Sequence, residues 1–129
     1  MKPGSGKYIE ADGVRTYYVH QGSGPALVML HGQPPGGSVH VIWHPNIDYF
    51  ADAGFSVYAF DQVGFGRTDN SPDFTRERRV RHARAFIDAM GFDRYSMWGM
   101  SDGSNLACRI ALEDQIGRAS CRERVYGLV

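Results

Sequence analysis

The sequence predicts an α/β protein: an initial β-hairpin, then parallel strands that alternate with helices. Three observations carry this. Residues 26–30, 56–60 and 95–98 are short apolar runs with the near-continuous hydrophobicity of strands buried on both faces. Stretches with a helical apolar period separate them, and each run empties into a glycine-containing loop. Ahead of them, two β-prone segments flank Asp12-Gly13, a dipeptide that favours a tight hairpin. Strands alternating with helices after a hairpin imply a mostly parallel sheet covered by helices.

Taken in order, residues 1–6 read as a loose start. Gly4-Ser5-Gly6-Lys7 has only a passing likeness to a phosphate loop, because Tyr8 stands where Ser or Thr is needed and no strand precedes it. The hairpin takes residues 8–11 and 14–20. Ser23-Gly24-Pro25 then breaks the chain before the first buried strand at 26–30. His31-Gly32-Gln33-Pro34-Pro35-Gly36-Gly37 leaves that strand as a Gly/Pro loop. Residues 45–53 have helical character, with Gly54 as the stop.

The second buried strand, 56–60, runs into Asp61-Gln62-Val63-Gly64-Phe65-Gly66-Arg67-Thr68-Asp69. A longer helix follows over 75–90. Val80, Ala83, Ile87 and Met90 fall on one face of it, and Gly91 ends it. Arg76, Arg78, Arg79, Arg81 and Arg84 form a basic run in the same helix, read as its solvated side rather than as a nucleic-acid patch. The third strand, 95–98, leads to Gly99-Met100-Ser101-Asp102-Gly103 and a helical run at 106–112.

Ligands of parallel sheets sit at the carboxyl ends of the strands. The loops that begin at His31, Asp61 and Ser101 all start at such ends. Gly-x-Ser-x-Gly between a strand and a helix is the context of a nucleophile elbow, a sharp turn that holds a serine in a strained conformation. Gly99 and Gly103 suit the positions where a side chain would not fit. In the helix after the elbow, Gly103, Ala107, Ile110 and Ala111 form a stripe of mostly small residues facing the sheet, with Cys108 beside it as a packed or half-exposed thiol.

Composition narrows the function. The chain has 129 residues and a formal net charge of zero, which argues against nucleic acid as the main partner. No apolar run approaches a membrane span, and the start lacks the apolar core of a signal peptide, so a cytoplasmic protein without a membrane partner is expected. Cys108 and Cys121 have no metal-ligand spacing. His40 and His44 are four apart but lack a third ligand, so no metal is expected.

His31-Gly32 with its Gly/Pro loop, Asp61-x-x-Gly64-x-Gly66-x-Thr68 and the elbow at Ser101 together resemble the α/β-hydrolase superfamily over residues 7–114. The resemblance implies the N-terminal part of an α/β-hydrolase sheet acting on a small-molecule substrate. It makes Ser101 the catalytic nucleophile, and the backbone N–H groups of Asp102 and Gln33 the oxyanion hole. Each such donor stabilises a transition state by about 3 kcal/mol in comparable sites. It assigns His31 to shaping the oxyanion loop with Gly32 rather than to acting as a base. Gly99 and Gly103 support the elbow, and Asp61 reads as a turn-former rather than a triad acid.

Within the superfamily, His-Gly-x-x-Pro-Gly and Phe65-Gly66-Arg67-Thr68-Asp69 are most similar to hydrolases that cleave carbon–carbon bonds in ring-fission products. Met100 stands where those enzymes commonly carry Asn, and Gly-x-Ser-Asp-Gly is equally similar to small serine esterases. The resemblance therefore implies hydrolysis of an ester or of a C–C bond next to a ketone, without a cofactor. A receptor that keeps the pocket of this fold but does no chemistry is the other reading.

The expected domain occupies residues 1–115. Residues 116–125 have no apolar period, supply no evident strand, and resemble a translated sequencing adaptor, so 116–129 reads as a non-native tail. Setting aside Arg118, Arg122, Glu123 and Arg124 leaves the remainder slightly acidic. In this superfamily the triad follows the chain order Ser, Asp or Glu, His. On this reading the acid and the histidine lie beyond Gln115.

Overall fold

The computed structural model describes residues 6–32, 37–39, 43–117 and 123–128, with side chains described up to residue 113. Strands β1 (Lys7–Ala11) and β2 (Val14–Gln21) form the hairpin, paired antiparallel with Ala11 opposite Val14. Asp12 and Gly13 both have positive φ, 51° and 72°, the backbone that a two-residue hairpin turn requires. The remaining strands are β3 (Ala26–Leu30), β4 (Ser56–Phe60), β5 (Tyr95–Met100) and β6 (Glu123–Leu128). They join the hairpin in one mixed sheet of order β1-β2-β4-β3-β5-β6. The β2–β4 pair is antiparallel, and β3–β4, β3–β5 and β5–β6 are parallel.

Helices α1 (His44–Asp52), α2 (Arg76–Met90) and α3 (Asp102–Gly117) connect these strands. Thr75 caps α2 by accepting from the N–H of Arg78, and Gly91 ends it in the left-handed region at φ 69°. The apolar strands are continuous because both faces of the sheet are covered. Leu27 and Met29 of β3 pack with Val57, Ala59, Trp43 and Ile47 on the α1 face. Val28 and Leu30 pack on the opposite face with Phe60, Met97 and residues of α2 and α3, including Phe86, Leu106 and Ile110. Gly103, Ala107, Ile110 and Ala111 form the buried stripe expected of α3, and Leu106 joins them.

Three expectations are corrected. Arg78 and Arg79 do not lie on a solvated face: they are 7% and 1% exposed. Arg78 is ion-paired with Asp12 of the hairpin turn, which Arg81 also binds at 2.9 Å. Arg79 lies one helical turn before Ala83 and two before Phe86, so it sits on the apolar stripe, and its charge is matched inside the protein. Cys108 is exposed rather than packed.

The third correction concerns residues 123–128, which do supply a strand. β6 lies beside β5 in parallel register, with Tyr95 opposite Glu123 and Met100 opposite Leu128. Ladder pairing satisfies backbone groups whatever the side chains, so a segment without an apolar period can still close the open edge of β5.

Candidate active site

The loops at the carboxyl ends of β3, β4 and β5 meet, and each is built by its own local chemistry. β5 passes directly into Ser101, and α3 begins at the next residue. Ser101 has φ 55°, a left-handed conformation that costs a residue with a side chain about 1–3 kcal/mol and is held only when its surroundings dictate it. Those surroundings are crowded. A Cβ on Gly99 would run into the backbone of Gly103 and Ser104, and one on Gly103 would run into the carbonyl oxygens of Leu30 and His31. Ser104 ties the turn from both sides: its hydroxyl donates to the Gly99 carbonyl at 2.7 Å, and its N–H donates to the Ser101 carbonyl at 2.9 Å. Ser101 itself is exposed, at the positive end of the α3 dipole.

The β4 loop explains the spacing of its motif. Asp61 is fully buried and its carboxylate accepts from the N–H of Val39 at 2.7 Å and of Arg67 at 3.0 Å. A Cβ on Gly66 would strike that carboxylate. The Thr68 hydroxyl closes the loop by donating to the Asp61 carbonyl at 2.6 Å, and accepts from the N–H of Tyr17 at 2.9 Å. Asp61 thus organises two loops with both carboxylate oxygens occupied, as a turn-former does.

His31 is fully buried. Its Nδ1–H donates to the Gly32 carbonyl at 2.6 Å, and its Nε2 accepts from the N–H of Gln62 at 3.0 Å. Both ring nitrogens are therefore committed in the neutral tautomer. Burial pushes the imidazole below its usual pKa, against the smaller opposing effects of the Gly32 carbonyl and Asp61. A histidine in this state shapes a loop and has no lone pair left for a serine proton. The backbone of Gly32 is buried beside it. Gln33, the other expected oxyanion donor, lies outside the described residues.

The side chain of Asp102 turns from the elbow towards α2. Its carboxylate accepts from Arg79 Nη1 at 2.5 Å and Arg76 Nη2 at 3.0 Å. Burial works to raise its pKa, but the hydrogen bond and charge of Arg79, aided by Arg76, outweigh burial and hold the carboxyl below its ordinary range. Arg79 Nη2 donates to Gln62 Oε1 at 2.9 Å, and Gln62 Nε2 donates to the His31 carbonyl at 2.6 Å. Sequence reasoning missed Arg79 and Gln62. Arg79 could have been found from its place one turn before Ala83 on the apolar stripe; Gln62 carried no such signal. Among the described residues no cluster of His, Cys, Asp or Glu could hold a metal, and no helix is long and apolar enough to cross a membrane.

Comparison with known proteins accords with this architecture. The sequence profile of the α/β hydrolase fold family matches residues 25–129. The chain is 37% identical, over 75% of its length and 34% of the relative's, to the 2-hydroxy-6-oxo-6-(2'-aminophenyl)hexa-2,4-dienoic acid hydrolase of Metapseudomonas resinovorans. It is 35% identical to a 2-hydroxy-6-oxononadienedioate/2-hydroxy-6-oxononatrienedioate hydrolase of Burkholderia vietnamiensis, over 87% of this chain and 42% of that one.

Among solved structures, a meta-cleavage product hydrolase of Pseudomonas fluorescens IP01 superposes with a TM-score of 0.82 at 32% identity, covering 93% of this chain and 43% of that one. An epoxide hydrolase of Vigna radiata, at 21% identity, shares the fold with a TM-score of 0.83 over 96% of this chain and 38% of that one. The chain therefore spans well under half the length of the relatives it matches. With the profile covering all but the hairpin and with the strand order, elbow and loops in place, the chain belongs to the α/β-hydrolase fold family.

Proposed function

We propose that the protein of which this chain forms part is a serine hydrolase that cleaves a carbon–carbon bond next to a ketone, or an ester, in a small-molecule substrate. The observation that carries the proposal is the backbone of Ser101: a left-handed, exposed serine between β5 and α3, kept there by glycines pressed against backbone carbonyls. Ser101 attacks the substrate carbonyl carbon. The oxyanion that forms is met by the N–H of Asp102, at the start of α3, and by that of Gln33. The serine proton passes to a histidine oriented by an acid, in the chain order serine, acid, histidine of this superfamily. Similarity to hydrolases of hexadienoate and nonadienedioate ketones supports the C–C reaction.

The test is turnover by the complete protein of a 2-hydroxy-6-oxo-dienoate, followed by loss of its absorbance, and of p-nitrophenyl esters. Hydrolysis of either that disappears in Ser101→Ala supports the proposal. Tight binding of such compounds without turnover would make the protein a receptor built on this fold.

A further inference from the structure

The hydrolase reading uses the backbone of residue 102 and of the loop after His31, but leaves unexplained why a buried arginine stands behind both. Arg79 occupies a stripe position of α2 that otherwise carries Ala83 and Phe86. Burying a cation there is costly, and an apolar side chain of similar volume would serve the packing as well or better. Its two Nη atoms face different walls of the site. Nη1 holds the carboxylate of Asp102, the residue after the nucleophile. Nη2 holds Gln62 Oε1, and the same amide holds the carbonyl of His31, one residue before Gly32 and two before Gln33. The walls also touch directly, since Gly103 rests on the carbonyls of Leu30 and His31.

We infer that Arg79 is a positioning residue for the oxyanion donor at Asp102, its guanidinium fixing the start of α3 against the His31 end of β3 through Asp102 on one side and Gln62 on the other. The planar fork suits the task, because two acceptors on different elements are held in one rigid geometry, whereas an ammonium is a point charge on a flexible stem without that fixed fork. The effect is transmitted without Arg79 meeting the substrate. Displacing the start of α3 against β3 by a fraction of an ångström misaims the Asp102 N–H, and that penalty falls on the transition state rather than on substrate binding.

The inference rests on the proposed nucleophile and is tested beside it in the complete protein. Arg79→Lys and Arg79→Met are compared with Asp102→Asn, which keeps the shape and backbone of residue 102 but weakens its hold on the guanidinium. Rates are taken per folded molecule, with Tm recorded for each variant. The expected result is a kcat about 100-fold lower in Arg79→Met with KM changed by less than about 3-fold, and a smaller kcat loss in Arg79→Lys and Asp102→Asn. The double variant Arg79→Met/Asp102→Asn should lose less than the product of the single losses, because both break one link. A lowered Tm with unchanged kcat, or losses that multiply independently, overturns the inference. Ser101→Ala separates the two readings: retained turnover there overturns the nucleophile and the role of Arg79 together, whereas lost turnover with normal kcat in the Arg79 variants overturns Arg79 alone.

Discussion

Gln62 holds His31 from two directions: its N–H donates to His31 Nε2 at 3.0 Å and its side-chain amide donates to the His31 carbonyl at 2.6 Å. This pair decides what His31 can do. With Nδ1–H spent on the Gly32 carbonyl and burial favouring the neutral ring, the imidazole is a structural part of the loop.

The chain as it stands should therefore be catalytically inert. A serine hydroxyl needs a base within hydrogen-bond reach, and His31 is committed elsewhere. His82 is buried against Thr16 and Val63, His20 pairs with Ser56, and His44 opens α1, while His40 lies outside the described residues. The 129-residue polypeptide is expected to hydrolyse p-nitrophenyl acetate no faster than its Ser101→Ala variant. A Ser101-dependent rate would reveal a base among these histidines, and His31→Gln would be the first variant to make.

In the complete protein, Ser101→Ala should abolish labelling by a fluorophosphonate probe and lower turnover by about five to six orders of magnitude, as loss of a triad nucleophile does. Undiminished labelling of the variant would place the nucleophile elsewhere.

Met100 stands where the C–C hydrolases of this family commonly carry Asn, and it is half-buried against the α1-side core. An apolar neighbour of this kind gives no special recognition of a dienolate, so ester hydrolysis should be at least as easy to detect as C–C cleavage. Rapid turnover of ring-fission dienoates with p-nitrophenyl esters left untouched would show that this position does not set the preference.

Gly103→Ala should destabilise the protein by about 3 kcal/mol, visible as a lower denaturation midpoint. Its Cβ would meet two backbone carbonyls, which cannot swing aside as a side chain could. An unchanged midpoint would mean that α3 can back away from β3 at little cost.

Stability should fall in mild acid because of His82. Its Nδ1 accepts from the N–H of Val63 at 3.2 Å, its Nε2 lies 2.8 Å from the Thr16 hydroxyl, and burial, with the charge of Arg78, lowers its pKa from 6.5 to about 4. The folded state thus prefers the neutral ring. The stability this contributes is fully present above about pH 6.5, declines as pH falls, and is gone below about pH 4, a total of about 3 kcal/mol. Urea midpoints measured between pH 7 and pH 4 should show the decline, and His82→Gln should flatten it. An equal decline in that variant would assign it to other groups, His31 first among them.

How much of this was legible beforehand follows from the range of each interaction. The hairpin at Asp12-Gly13, the buried strands, the helix ends at Thr75 and Gly91, and the glycines around Ser101 depend on residues a few positions apart. Backbone preference and apolar period report on those directly. The motif spacing from Asp61 to Thr68 is local in the same way, since the loop closes on its own carboxylate and carbonyl.

What only the tertiary structure decided is where charge goes when a partner from another element comes to meet it. Within α2, Arg79 and Arg81 carry the same side chain. The first is buried because Asp102 and Gln62 arrive from α3 and the β4 loop, and the second stays exposed beside Asp12. The pairing of β6 with β5 belongs to the same class, because an open sheet edge recruits backbone and is indifferent to side-chain pattern. Sequence periodicity records which residues prefer to leave water. A stripe position such as that of Arg79 marks a residue that faces the core, but which partner meets it there, like the pairing of a sheet edge, is settled by the groups the fold brings within about 3 Å.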